Sequence, residues 1–105
     1  MFEFEWDTEK EKDNYRLHGI KFEDATRIFF DPRRMERYDQ DSSVEEERWQ
    51  TLGMAEAVVF VVYTERKTVG VNETRLITAR LATSAERRSY NGYYRIDNKG
   101  WSKAN

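Results

Sequence analysis

The chain has 105 residues, no cysteine, one histidine and a formal net charge of −2. That length suits one domain able to bury a core unaided, and the missing cysteine excludes disulfides and zinc-thiolate sites. The segment from Met1 to Asp7 holds three carboxylates and no apolar run, unlike a signal peptide, and the longest apolar run, Ala57 to Tyr63, is far too short to cross a bilayer. We therefore expect a cytoplasmic protein with no membrane contact.

Phe2-Glu3-Phe4-Glu5-Trp6 alternates apolar and acidic residues, the period of a strand with one buried face. Asp7 can cap a helix from Thr8, and Thr8 with Glu11 offers a capping box as the other start. This helix runs to Leu17 or His18, where Gly19 stops it. A second helix covers Phe22 to Phe30, with Phe22, Ala25, Ile28 and Phe29 on one face, and Asp31-Pro32 ends it. Residues 33–47 are highly charged and read as a solvated loop. Strands follow at Arg48–Met54, Ala57–Thr64 and Thr74–Leu81, joined as antiparallel hairpins. The second is continuously apolar and should be central, covered on both faces. Thr83 or Ser84 caps a short helix to Tyr90, with Thr83 and Glu86 at capping-box spacing, and Asn91-Gly92 ends it. Tyr93 to Asn105 shows no clear period and reads as a C-terminal tail on a single domain of residues 1–92. The expected fold is α+β in the order β-α-α-β-β-β-α: a small, mostly antiparallel sheet, two N-terminal helices on one face, and a short C-terminal helix near its end or other face.

The net charge conceals an asymmetry. Residues 1–47 hold 15 Asp and Glu against 8 Lys and Arg, a net of −7; residues 48–105 hold 5 against 10, a net of +5. The basic half suits a polyanion such as nucleic acid. The acidic half suits a cationic protein, or the domain's own basic face. Ordinary surface bias is the plainer alternative.

The basic half places Arg48, Arg66, Arg75 and Arg80 on or beside strands, where planar, permanently charged forks suit phosphate oxygens. Strand parity sets Arg75 and Arg80 on opposite faces unless Arg75 lies in the loop or a bulge intervenes. The competing reading pairs these arginines with carboxylates of the front half. On the first helix, Lys10, Asn14 and His18 are spaced by four and form one stripe. His18 at its end could move protons, or could serve as a structural imidazole. Trp49 could stack on a base or sit buried in its strand. A carboxylate site for Mg²⁺ would need a compact loop motif, and none stands out.

Taken in order, Phe4-Glu5-Trp6-Asp7, Lys10, Asn14, His18-Gly19, Phe22-Glu23 and Phe29-Phe30-Asp31-Pro32 resemble the front half of the BrnT toxin family. Glu46-Glu47-Arg48, Leu52-Gly53-Met54, Val61-Val62-Tyr63-Thr64-Glu65-Arg66, Arg75-Leu76-Ile77-Thr78-Ala79-Arg80 and Glu86-Arg87-Arg88 with Tyr90 resemble its back half. Each motif alone is weak, but the ordered set, spanning roughly residues 2–90, is specific. The chain departs from the family at Lys21, where a capping Ser or Thr is common. It departs also in a short Met54–Val58 link, a long Glu65–Thr74 link and a longer tail.

The resemblance implies a RelE-like fold and a ribonuclease toxin of a bacterial type II toxin–antitoxin pair that inhibits translation. It implies a BrnA-like ribbon-helix-helix antitoxin as partner, with operator DNA reached only through that antitoxin. Such cleavage can run without metal or cofactor, the 2′-hydroxyl attacking the adjacent phosphate. Arg75 and Arg80 would bind the phosphate and stabilise the transition state. Glu47, Tyr63 and His18 would move protons, in no fixed order. Arg48, Arg66 and Lys10 would bind RNA. The alternatives are a non-catalytic RNA- or protein-binding module, or a degenerate toxin kept as a co-repressor.

Overall fold

In the computed structural model, which describes residues 2–92 and 99–104, six strands and four helical segments follow one another along the chain. They are β1 (Phe2–Glu5), α1 (Thr8–His18), α2 (Phe22–Ala25), a 3-10 helix (Thr26–Phe30), β2 (Met35–Tyr38), β3 (Trp49–Ala55), β4 (Ala57–Thr68), β5 (Val71–Leu81), α3 (Ser84–Asn91) and β6 (Ser102–Lys103). The strands form one sheet in the order β1-β5-β4-β3-β2-β6. β1 runs parallel to β5, and the other neighbours are antiparallel.

The α+β class and the mostly antiparallel sheet match expectation, but the order gains two strands. β2 lies inside the stretch 33–47 expected to be a loop. Its only aliphatic residue, Met35, is buried, and it pairs with Leu52 of β3. The charge around it concealed a strand because long basic side chains have apolar stems. Arg34 is only 5% exposed, with its guanidinium 4.9 Å from the Phe29 ring centroid and Nη1 donating to Thr51 Oγ1 at 3.1 Å. β6 lies in the expected tail and pairs with β2, and Trp101 beside it packs edge-on to Phe60 at 6.4 Å. This end of the tail is therefore part of the sheet and core; Tyr93 and Tyr94 lie outside the described residues. The expected second helix is one α turn followed by a tighter 3-10 helix.

β4 organises the core. Val58 to Tyr63 are all buried, because a β-branched run favours extended backbone and both faces are covered. Val59, Val61 and Tyr63 meet Phe22, Ala25, Ile28 and Phe29 under α2 and the 3-10 helix. Val58, Phe60 and Val62 meet Leu52, Ile77, Tyr90 and Trp101 on the face of α3. Each fully buried large side chain contributes about 1.5–3 kcal/mol of transfer free energy. Gly53 lets the 3-10 helix approach β3, since a Cβ there would stand 2.6 Å from Ile28 Cβ.

Two polar devices complete the frame. Asp7 caps α1 by accepting from the N–H groups of Glu9 and Lys10, and Gly19 ends it at φ 71°. β1 pairs with β5 only as far as Arg75. Further along the same edge, the buried Asn14 side chain of α1 replaces a strand. Its Nδ2 donates to the Ala79 carbonyl at 2.9 Å, and its Oδ1 accepts from the Ala79 N–H at 3.0 Å.

Asn14→Ala leaves both Ala79 groups without these partners and should lower unfolding free energy by about 2–4 kcal/mol. Asn14→Asp should also destabilise, because a carboxylate cannot donate to the Ala79 carbonyl. Urea unfolding measures both, and wild-type midpoints would refute the role given to Asn14.

Asp31 links three elements. Oδ1 accepts from Arg33 N–H at 2.9 Å, and Oδ2 accepts from Met54 N–H at 2.8 Å and from the Tyr90 hydroxyl. Burial alone raises its pKa, but the Tyr90 hydroxyl and the two backbone donors outweigh burial and hold it below the ordinary 3.8. A depressed carboxylate pKa adds stability that is fully present above the ordinary value and is lost as pH falls through the folded value. The stability gap between wild type and Asp31→Asn should therefore be constant near neutrality and shrink below pH 3.8. Chemical denaturation across that range tests it, and a gap independent of pH would refute it.

Candidate active site

A register shift between Val62 and Tyr63 of β4 decides which side chains share a face. Val62 pairs with Thr78 and Tyr63 with Leu76, so Ile77 is an extra residue in β5. Arg80 pairs with Phe60 and Arg75 with Thr64. Phe60 and Thr64 are four residues apart on an unbulged strand, so both arginines project from the α3 face. Their backbone positions are about 13 Å apart along the strands.

At the Arg75 end, a groove of about 590 Å³ opens between β1, the ends of β4 and β5, and the loop before β3. Arg75, Arg66, Thr64 and Glu47 line it. Its lining also includes Glu3, Glu5, Glu46, Glu65 and Glu73, giving six carboxylates against two arginines. Each arginine of this region stands beside one of these groups. Arg75 Nη1 is 3.6 Å from Glu5, Arg66 Nη1 3.9 Å from Glu73, and Arg48 Nη2 3.6 Å from Glu46. Arg75 and Glu5 are 42% and 64% exposed, so this pair contributes little stability and exchanges readily.

Arg80 is held differently. Nη1 and Nη2 donate to the two carboxylate oxygens of Glu86 at 2.8 and 3.1 Å, and Nη1 also donates to the Leu81 carbonyl at 3.2 Å. The guanidinium carbon lies 3.9 Å from the Phe60 ring centroid. Burial pushes the Glu86 carboxyl up, but Arg80 and the Thr83 donors outweigh it and keep it below its ordinary range. Among the described residues, no group of three or more His, Cys, Asp or Glu could hold a metal ion. No described helix is long and apolar enough to cross a membrane.

Residues 6–86 match the family model for the ribonuclease toxin BrnT of type II toxin–antitoxin systems. The chain belongs to this family. No curated protein matches it. BrnT proteins are ribonuclease toxins of type II toxin–antitoxin systems, so RNA is the substrate class and an antitoxin the counterpart. The matched span takes in α1 to the first turn of α3 and contains Arg75, Arg80 and Glu86.

Of the residues singled out in this BrnT chain, the groove gathers Arg75, Arg66 and Glu47, with Arg48 beside it through Glu46. Arg80 lies further along the same face. Tyr63 does not join them: it is 2% exposed in the core under the 3-10 helix, and its hydroxyl donates to Glu36 Oε2 at 3.3 Å. Burial above all raises its pKa, with Glu36 and Glu65 adding and Arg34 opposing. Of the stripe on α1 only Asn14 is buried; Lys10 and His18 are exposed and do not line the groove. Trp49 is half-buried against the core, with Tyr38 edge-on at 5.4 Å. Sequence reasoning missed Glu5 and Glu86 as partners of Arg75 and Arg80. The first was signalled by the alternation of β1, which puts Glu3 and Glu5 on the face away from Phe2 and Phe4. The second was visible only as a capping residue.

Tyr63→Phe should lower unfolding free energy by about 1–3 kcal/mol, because it removes a buried hydroxyl and leaves Glu36 without that donor. Thermal and urea denaturation measure this. An unchanged midpoint would show that the hydroxyl adds nothing to the fold.

Proposed function

We propose that the chain is a metal-independent endoribonuclease with a RelE-like fold that inhibits translation and is neutralised by a BrnA-like ribbon-helix-helix antitoxin. In this reading it is cytoplasmic and reaches operator DNA only through the antitoxin. The observation that carries the proposal is the bulge at Ile77, which sets Arg75 and Arg80 on one sheet face in a chain of a ribonuclease family. The N-terminal helical segments against the other face of a mostly antiparallel sheet support the RelE-like reading.

RNA backbone enters the groove between β1 and the loop before β3. A phosphate oxygen replaces Glu5 at Arg75, which costs little because that ion pair is exposed. Arg66 and Arg48 meet neighbouring phosphates by the same exchange. Arg80 has five N–H donors, and three hydrogen bonds to Glu86 and Leu81 leave two others for the anion. Glu47, on the groove wall, takes the proton of the 2′-hydroxyl as its oxygen attacks phosphorus. The extra negative charge is stabilised by the arginines of this sheet face, and the departing 5′ oxygen takes a proton from solvent at this open site. The products are a 2′,3′-cyclic phosphate and a 5′-hydroxyl.

The carboxylate excess in the groove favours a second reading, a non-catalytic module whose groove takes a cationic protein segment. Expression without an antitoxin should arrest growth under the first reading and be harmless under the second. Purified protein should cleave RNA in EDTA, leaving cyclic phosphate ends. Arg75→Ala and Arg80→Ala, each folded, should slow cleavage by about 10²–10³-fold. Intact RNA after long incubation would overturn the enzymatic reading, and wild-type rates in either variant would overturn the role of that arginine.

A further inference from the structure

We infer that Glu86 is a positioning residue for RNA cleavage, holding the Arg80 guanidinium in one orientation on the sheet face so that its remaining donors meet the phosphate. This rests on the reading of Arg80 as a phosphate ligand.

The grip on Arg80 differs in kind from that on its neighbours. Arg48, Arg66 and Arg75 each meet a carboxylate at 3.6–3.9 Å. Arg80 forms a two-bonded fork at 2.8 and 3.1 Å with a carboxylate whose side chain is only 13% exposed. One guanidinium face is covered by Phe60 at 3.9 Å, and the Leu81 carbonyl takes a third bond. A long, flexible side chain is thereby reduced to one planar orientation before substrate arrives.

Glu86 is itself fixed. It occupies the third position of α3, where Oε1 accepts from the Thr83 N–H at 2.8 Å while its own N–H donates to Thr83 Oγ1 at 3.1 Å. The same carboxylate oxygen that closes this capping box also accepts from Arg80 Nη1. The start of α3 and the aim of Arg80 are thus set by one side chain. The arrangement trades charge for direction: Glu86 offsets the positive charge of Arg80, but a fork already aimed loses less freedom on meeting the anion.

Steady-state cleavage of a labelled, mixed-sequence single-stranded RNA tests this with Glu86→Ala, Glu86→Gln, Arg80→Ala, the Glu86→Ala/Arg80→Ala double variant and Thr83→Ala. Glu86→Ala should lower kcat by about tenfold or more while KM changes by less than about threefold. Glu86→Gln, which keeps an accepting oxygen, should fall between it and wild type, and it carries the comparison alone if Glu86→Ala does not fold. Thr83→Ala removes the capping hydroxyl but keeps the backbone N–H that Glu86 Oε1 accepts from, so its kcat should fall less than that of Glu86→Ala. An equal fall would assign the Glu86 effect to the cap of α3 and overturn the positioning role. The double variant should be no slower than Arg80→Ala. Wild-type kcat in both Glu86 variants beside an impaired Arg80→Ala would overturn the positioning role. So would losses that multiply in the double variant. Wild-type activity in Arg80→Ala would instead remove the phosphate-ligand reading, and this proposal with it.

Discussion

One extra residue in β5 reconciles two demands on that strand. Ala79 must face α1 and the first core cluster, and so must Leu76 opposite Tyr63. The two are three residues apart, so a regular strand would send them to opposite faces. The bulge at Ile77 absorbs the mismatch, and Ile77 itself fills the second cluster under α3. Both faces of the sheet remain apolar at their centres because of this shift. Arg75 and Arg80 come to share a face by the same step, so packing and the candidate chemistry depend on one local irregularity.

Most of the scaffold could be read from the chain. Caps at Asp7, Gly19 and Thr83 were local signals, each made by a residue suited to an open backbone group. The apolar run of β4 announced a strand covered twice. What escaped were elements whose stability comes from partners distant in sequence. Met35 is the one aliphatic residue of β2, and the strand exists because β3 offers it an edge. Ser102 and Lys103 show no pattern of their own and are strand only through β2. The candidate site divided likewise. Arginines were visible as residue types, and parity showed that Arg75 and Arg80 share a face only if Arg75 lies in the loop or a bulge intervenes, but no local rule decided between the two. Tyr63 looked reactive as a tyrosine in a strand, yet its position opposite Leu76 turns it into the core.

Charge distribution also means less in bulk than in place. The back half carries a net of +5, yet the groove that holds Arg75 and Arg66 is rich in glutamates from both halves. Glu5 comes from β1, Glu46 and Glu47 from the loop before β3, and Glu73 from β5 itself. Folding therefore brings carboxylates onto the basic strands and weakens any long-range attraction for RNA. Close-range geometry must then supply affinity, through arginines whose exposed partners yield to phosphate and one arginine whose partner does not.

The clamp of Asn14 on Ala79 ties a helix to a strand edge through two hydrogen bonds that run side chain to backbone. The Ala79 amide proton is therefore shielded from solvent exchange by α1 rather than by another strand. It can exchange only when α1 lifts from the sheet or when the sheet itself opens. Helix undocking and fraying of the middle of β5 thus form one cooperative opening, and the stretch between Arg75 and Arg80 is only as rigid as the seating of the first helix.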